Sequence, residues 1–316
     1  MRVAVIGAGA LGSVFGGFLA LEGHQVSLLG RQWHLDAVKE NGLLIEGIWG
    51  EHLVRNLDLA VSPETLQPGF DLVLITVKAY DTLAAADMAR YLMKDGGLVL
   101  SLQNGIGNGE ILDRAVGRTN SALGRVIFGA EIPRPGVVKV TVCADEVELG
   151  PLGEGYPASR ILVIRNTVKI MADAGIPCRY SDAVQASLWA KAIYNCALNP
   201  LGALLGVTYG ELVDNEHTRG IMNAVIRECI YVAQDQGVDL PWETAEDYQK
   251  EFYEQLVPPT RDHRASMLQD MERGRPTEID ALNGLMVFYG KLNNVETPVN
   301  KIITSLIKAK VELGTR

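Results

Sequence analysis

The chain has 316 residues, 47% of them hydrophobic and 21% charged, the balance of a globular protein with room for two domains. Its formal net charge of −9 argues against a nucleic-acid partner, because holding phosphates along a strand requires a basic face. No apolar run reaches the roughly 20 residues of a membrane-crossing helix, and the N-terminus passes straight into a strand-like segment rather than a signal peptide. Cys143, Cys178, Cys196 and Cys229 show neither CxxC nor metal-ligand spacing and read as small core residues, so a cytoplasmic protein is expected.

Residues 3–6 form a short apolar run, followed by a glycine-rich turn and a predicted helix over 11–22. Further strand-like runs lie at 26–29, 71–77 and 98–102. Near-continuous apolar strands separated by helices predict a parallel sheet covered on both faces. Over 121–150 the pattern changes: Val137, Val138, Val140 and Val142, with the turn Pro133-Arg134-Pro135-Gly136, predict antiparallel strands at one sheet edge. From Asp182 almost to Arg316 the spacing of apolar residues is helical. The expected fold class is α/β, with a doubly wound Rossmann-type sheet over 1–182 and an all-helical domain over 183–316.

Gly7-Ala8-Gly9-Ala10-Leu11-Gly12 fits GxGxxG between a strand and a helix. The first glycine permits the tight turn, the second lets a pyrophosphate approach the backbone, and the third lets helix and strand pack closely. The helix start then offers unpaired N–H groups to phosphates. A glycine-rich turn without a ligand is the plainer alternative. A site for NAD carries an acid about 20 residues on, at the end of the second strand. Here that strand ends Leu29-Gly30-Arg31, and a guanidinium suits the 2′-phosphate of NADP, although it could also be a solvated surface charge. Lys78 closes the run at 71–77, where open α/β sheets bind ligands, and either meets cofactor charge or is merely exposed. Asn104, in SLQNGIGN, falls beside the expected nicotinamide position or simply forms the turn.

Lys191, Asn195 and Asn199 are spaced by four within KAIYNCALNPLG, so an ammonium and two amides share one face of a greasy helix. A snorkelling lysine with core-satisfied amides would explain the stripe without any chemistry. Asn199 precedes Pro200, a position that disfavours helical geometry, so the alignment is expected to be safest for Lys191 and Asn195. His24, His34, His52, His217 and His263 have no metal-ligand spacing, and no GxSxG nucleophile pattern occurs.

Together, GAGALG, TVKAYDT, SLQNGIGN, the lysine–asparagine–asparagine face and SMLQDMERGRPTEID at 266–280 resemble the ketopantoate reductases. The resemblance implies a Rossmann domain, a helical second domain, an active site in the cleft between them, and NADPH-dependent reduction of 2-dehydropantoate to (R)-pantoate on the way to pantothenate and coenzyme A. It implies that Lys191 is the general acid, that Asn195 and Asn199 are substrate ligands, and that Ser266 holds the substrate carboxylate. Asn104 would touch cofactor and substrate, Glu278 would help organise both, Asp270 would lie near the site, and Lys78 and Arg31 would lie toward the cofactor phosphates. A homodimer is also suggested. One departure stands out: Tyr209 precedes Gly210-Glu211-Leu212, where family members often carry a substrate-binding asparagine. A phenol cannot supply an amide's paired donor and acceptor.

The chemistry is consistent with these assignments. Hydride addition to a 2-oxo acid builds negative charge on the ketone oxygen, so the site needs a proton donor there and hydrogen-bond donors for the carboxylate. The rival readings are a reductase of another 2-oxo acid and an NADP-binding sensor that has lost catalysis.

Overall fold

The computed structural model describes residues 1–314. The chain forms two compact units: Met1–Asn104 with Asn108–Gln185, and Gly105–Gly107 with the chain from Ala186 onward.

The first unit begins with β1 (Arg2–Ile6), α1 (Ala10–Leu21), β2 (Gln25–Leu29) and α2 (Gln32–Asn41). There follow β3 (Leu43–Gly47), β4 (His52–Val54), β5 (Leu57–Ala60), β6 (Phe70–Ile75), α3 (Thr82–Leu92), β7 (Met93–Ser101) and α4 (Asn108–Val116). The rest is β8 (Ser121–Arg125), β9 (Phe128–Arg134), β10 (Val137–Cys143), β11 (Val147–Gly150), α5 (Ala158–Asp173) and β12 (Cys178–Tyr180).

The main sheet has the order β12-β11-β8-β7-β6-β1-β2-β5. Its strands pair in parallel from β5 to β8, β11 pairs antiparallel with β8, and β12 is parallel to β11. The central strands are apolar over 3–6, 72–75 and 98–100 because each face there has its own core. Val3, Val5, Leu72, Leu74, Leu98 and Leu100 pack with α1 and α5 on one side. Ala4, Ile6, Val73, Ile75 and Val99 pack with α3 and α4 on the other.

The expectation for 121–150 needs correction. β8 extends the sheet in parallel, and of this stretch only β11 is an antiparallel member of it. β9 and β10 leave for a second, four-stranded sheet of order β4-β3-β10-β9, where β10 pairs antiparallel with β9 and parallel with β3. Alternation reports that one face is buried, not which sheet buries it. The partner, β3, is short and carries Glu46, so its strand signal is weak. The β9–β10 turn is keyed to the main layer by His34 in α2. Its Nδ1 accepts the Gly136 N–H at 3.1 Å, which leaves the Nε2 hydrogen for Ser13 Oγ at 3.1 Å. Burial lowers the His34 pKa and favours the neutral ring this geometry needs.

The second unit is built around α6 (Val184–Leu205), with α7 (Tyr209–Asp214), α8 (Glu216–Asp235), α9 (Ala245–Glu251), α10 (Ser266–Glu272), α11 (Asn283–Asn293) and α12 (Pro298–Gly314). Ile193, Cys196, Ala197 and Leu198 of α6 are fully buried in its core, which also takes in Ile106 from the crossing segment. Contrary to the caution about Asn199, the helix continues through Pro200.

The reason is local. Pro200 has no N–H for the carbonyl four residues back, and that carbonyl, on Cys196, instead accepts Asn283 Nδ2 at 3.1 Å. Asn283 is held in turn by Asn300 Oδ1, and Asn300 Nδ2 donates to Glu228 Oε2 at 2.7 Å. The Glu228 carboxylate also caps the start of α12 by accepting the N–H groups of Val299 and Asn300. At the other end, Lys310 Nζ donates to the Ala203 and Leu204 carbonyls and satisfies the last turn of α6. Among the described residues no helix is long and apolar enough to cross a membrane.

Candidate active site

In the main sheet β1 lies between β2 and β6, so the loops at their carboxyl ends emerge side by side where the strand order reverses. Such a switch point is where open α/β sheets bind ligands. The loop after β1 is the glycine turn, and two of its glycines are required by the fold. Gly7 has φ +109°, and a Cβ there would stand 2.7 Å from the Val77 nitrogen. A Cβ on Gly12 would collide with the Gly7 carbonyl oxygen and stand 2.5 Å from Thr76 Oγ1.

Gly9 is different. Its backbone is extended, and its nearest neighbour to a hypothetical Cβ is the Gly7 carbonyl oxygen at 3.9 Å. Nothing inside the protein demands glycine at this exposed position. The lack of a side chain matters only to something arriving from outside. Gly9 is also the N-cap of α1 and offers no side-chain cap to the helix, so Ala10, Leu11 and Gly12 start the helix at a turn open to an incoming anion. These residues fit a dinucleotide's pyrophosphate.

Other residues expected toward the cofactor sit on loops of the same unit. Arg31 is exposed and forms the N-cap of α2, whose first turn contains no acid. Lys78 is half-buried after β6, and Asn104 is exposed after β7. The sequence reading passed over Thr82, Gln103 and Asn108, which are buried beneath these loops and hydrogen-bonded to one another. Buried polar residues carry no periodic signal, and only their partners reveal them.

In the second unit, Lys191 and Asn195 are half-buried on α6 and Asn199 is buried one turn further on. Asn199 is engaged with α10. Its Oδ1 accepts the Met267 N–H at 3.0 Å and its Nδ2 donates to Ser266 Oγ at 3.1 Å. The N-cap of α10, Ala265, has no side chain to cap the helix, so Asn199 supplies the cap from another helix. Ser266 Oγ therefore accepts from Asn199, and its own O–H is the group it can offer a carboxylate. Asp270, on α10, and Glu278, before the short 3₁₀ turn Ile279–Ala281, are both buried. The structure thus joins Asn199 to Ser266 directly and sets Lys191 and Asn195 on the same helix.

Tyr209 belongs to the helical core. It is 3% exposed, and its ring lies against His263 and Tyr194 at centroid distances of 5.2 and 6.0 Å. A Cβ on Gly202, in the last turns of α6, would be 3.8 Å from Tyr209 Cε1. Burial, and next the Tyr194 phenol, raise the Tyr209 pKa, so it is a neutral phenol at any working pH.

A doubly wound unit with a phosphate-ready glycine turn at its switch point, followed by a helical unit with a lysine–amide face, belongs to the nicotinamide-dependent oxidoreductases. Comparison with known proteins narrows this class. The family description "Ketopantoate reductase PanE/ApbA" matches residues 3–154, and "Ketopantoate reductase PanE/ApbA C terminal" matches residues 183–311. A 2-dehydropantoate 2-reductase of Aquifex aeolicus (strain VF5) is 39% identical over 312 residues, spanning 98% of this chain and 97% of that protein. The crystal structure of a PanE/ApbA family ketopantoate reductase from Ralstonia eutropha JMP134 matches with a TM-score of 0.88 at 34% identity, covering 100% of both chains. D-mandelate dehydrogenase, in a ternary structure with NADH and anilino(oxo)acetate, also gives 0.88, at 29% identity and 99% coverage of each chain. The chain belongs to the ketopantoate reductase family, whose members are oxidoreductases using a nicotinamide cofactor.

Proposed function

We propose that this protein reduces 2-dehydropantoate to (R)-pantoate with NADPH. The observation that carries the reading is the full-length likeness to a 2-dehydropantoate 2-reductase in a chain that has Lys191, Asn195 and the braced Ser266 in its helical unit. The first unit would hold the dinucleotide and the second the oxo acid. The bound dinucleotide would supply the hydride to the ketone carbon. As negative charge builds on the ketone oxygen, the Lys191 ammonium donates a proton to it and is re-protonated from solvent. Asn195 bonds the substrate without adding a titrating charge, and the Ser266 O–H donates to the carboxylate. Asn199 acts through Ser266, because it fixes that hydroxyl and the start of α10.

The preference for NADPH is supported by Arg31 at the uncapped N-terminus of α2, where a guanidinium and a helix start without acidic residues both favour a 2′-phosphate. A second reading, reduction of a different 2-oxo acid, is favoured by one observation: the aromatic Tyr209 stands in place of an amide, within a fold that D-mandelate dehydrogenase shares.

Steady-state oxidation of NADPH and NADH with 2-dehydropantoate and with 2-oxo-2-phenylacetate tests both. The proposal expects the highest kcat/KM with NADPH and 2-dehydropantoate, and a loss of that cofactor preference in Arg31→Ala. Activity confined to the phenyl acid would establish the second reading, and equal kcat/KM for the two cofactors would remove the role given to Arg31.

A further inference from the structure

The parallel ladder between β6 and β7 ends where the Leu102 N–H donates to the Ile75 carbonyl at 2.9 Å. Past that point the two chain ends are joined by buried side chains. Ser101, Gln103, Thr82 and Asn108 are each 5% exposed or less. The Ser101 hydroxyl donates to Gln103 Oε1 at 3.0 Å. Gln103 Nε2 has two hydrogens and two acceptors: the Val77 carbonyl at 3.1 Å and Thr82 Oγ1 at 2.8 Å. The Thr82 hydroxyl lies 2.8 Å from both the Ala79 carbonyl and Asn108 Oδ1. Asn108 Nδ2 then donates to the Asn104 carbonyl at 3.0 Å.

The chain of bonds therefore runs from the turn after β6 to the backbone of Asn104, whose side chain is exposed. The strands are already paired below it, so these bonds fasten the turns rather than the sheet. The network is anchored on Ser101 and on the Val77 and Ala79 carbonyls, and its far end reaches Asn104. In a buried network, losing one hydroxyl leaves several groups unpaired, so the hold on the last member depends on every link.

We propose that Gln103, Thr82 and Asn108 are positioning residues that hold Asn104 at the nicotinamide end of the dinucleotide; this rests on the assignment of Asn104 to cofactor and substrate. Thr82→Val keeps the shape of the side chain and removes the hydroxyl, leaving one Gln103 N–H without its acceptor and Asn108 Oδ1 without its donor. Thr82→Ser keeps the hydroxyl.

The test compares both variants with the unmodified protein in kcat, in KM for the oxo acid, and in the dissociation constants of NADPH and of 2′-phospho-ADP-ribose, which lacks the nicotinamide. Thr82→Val is expected to lower kcat about tenfold or more, as misplacement of a reacting group does. It should weaken NADPH more than 2′-phospho-ADP-ribose, while Thr82→Ser stays near the unmodified protein in both. Thr82→Val matching Thr82→Ser in kcat, or weakening the two ligands equally, would overturn the proposal. If the unmodified protein bound NADPH but reduced neither oxo acid, the proposed function would fail on its own. The contrast between the two ligands would still decide whether the network positions Asn104.

Discussion

The proposed nucleotide site and the proposed substrate site are built from different material. At the glycine turn the groups offered belong to the backbone, and the sequence carries them as missing side chains: Gly7 and Gly12 because the protein leaves no space, Gly9 with open space around it, as the proposed phosphate cradle requires. In the helical unit the groups proposed to work are side chains from segments far apart in sequence, such as Asn199 and Ser266, joined by single hydrogen bonds. A backbone site is compact in sequence and reads as a motif. A side-chain site is dispersed and depends on braces, of which Asn283 and Asn199 are the clearest. The first kind tolerates little change at any of its positions, whereas the second should separate into one residue that does chemistry and several that hold it.

The sharpest way to break that division is Lys191→Ala. A positioned general acid contributes about 10²- to 10⁴-fold, so kcat should fall at least by the lower bound while NADPH titration shows binding unchanged. A variant within a few-fold of full kcat, with the same pH profile, would return the lysine–amide face to ordinary helix surface.

A smaller effect separates the two kinds of glycine. Gly12→Ala should lower stability by about 1–3 kcal/mol through overpacking, because the Gly7 carbonyl and Thr76 cannot easily give way. Gly9→Ala should leave the thermal midpoint where it is and still raise the NADPH dissociation constant, by about tenfold if a comparable strain falls on the ligand. Calorimetry and cofactor titration on the same two variants check this. If Gly9→Ala bound NADPH normally, its missing side chain would have no explanation and the turn would lose its status as a phosphate cradle.

The mildest change concerns the braces. Asn199→Ala removes the cap on Met267 and the bond to Ser266, which should cost about 1–3 kcal/mol of stability for buried groups left unpaired. KM for the oxo acid should rise more than kcat falls, because the role proposed for Ser266 is to hold the substrate in both ground and transition states. A kcat loss as deep as that of Lys191→Ala would move Asn199 from support to chemistry.

Much of this was legible in the residues. The mostly apolar runs at 3–6, 71–77 and 98–102, separated by helices, point to strands buried on both faces, because an amphipathic strand would alternate, and the two cores that flank β1, β6 and β7 bear this out. The alternation at 137–142 was equally plain, yet it fixes only the face of β10 and not its partner. The pairing with β3 depends on a segment nearly a hundred residues earlier whose own signal is weak. The Asn199–Pro200 pair misled for a related reason. The local preference against helix is real, but it is outweighed when a distant amide takes the donor role proline lacks, and Asn283 does so from α11.

By itself, then, the order of residues determined whatever is enforced over short range: the period of each element, the glycine turn, and the spacing of Lys191 from Asn195. Tertiary structure alone decided where buried polar groups find their partners. A burial cost of about 1–3 kcal/mol for each unpaired group favours a partner for each such side chain, but the match can lie anywhere in the chain. The partners of Gln103, Thr82, Asn108, Asn199 and Asn283 became visible only once the folded chain had placed them within about 3 Å.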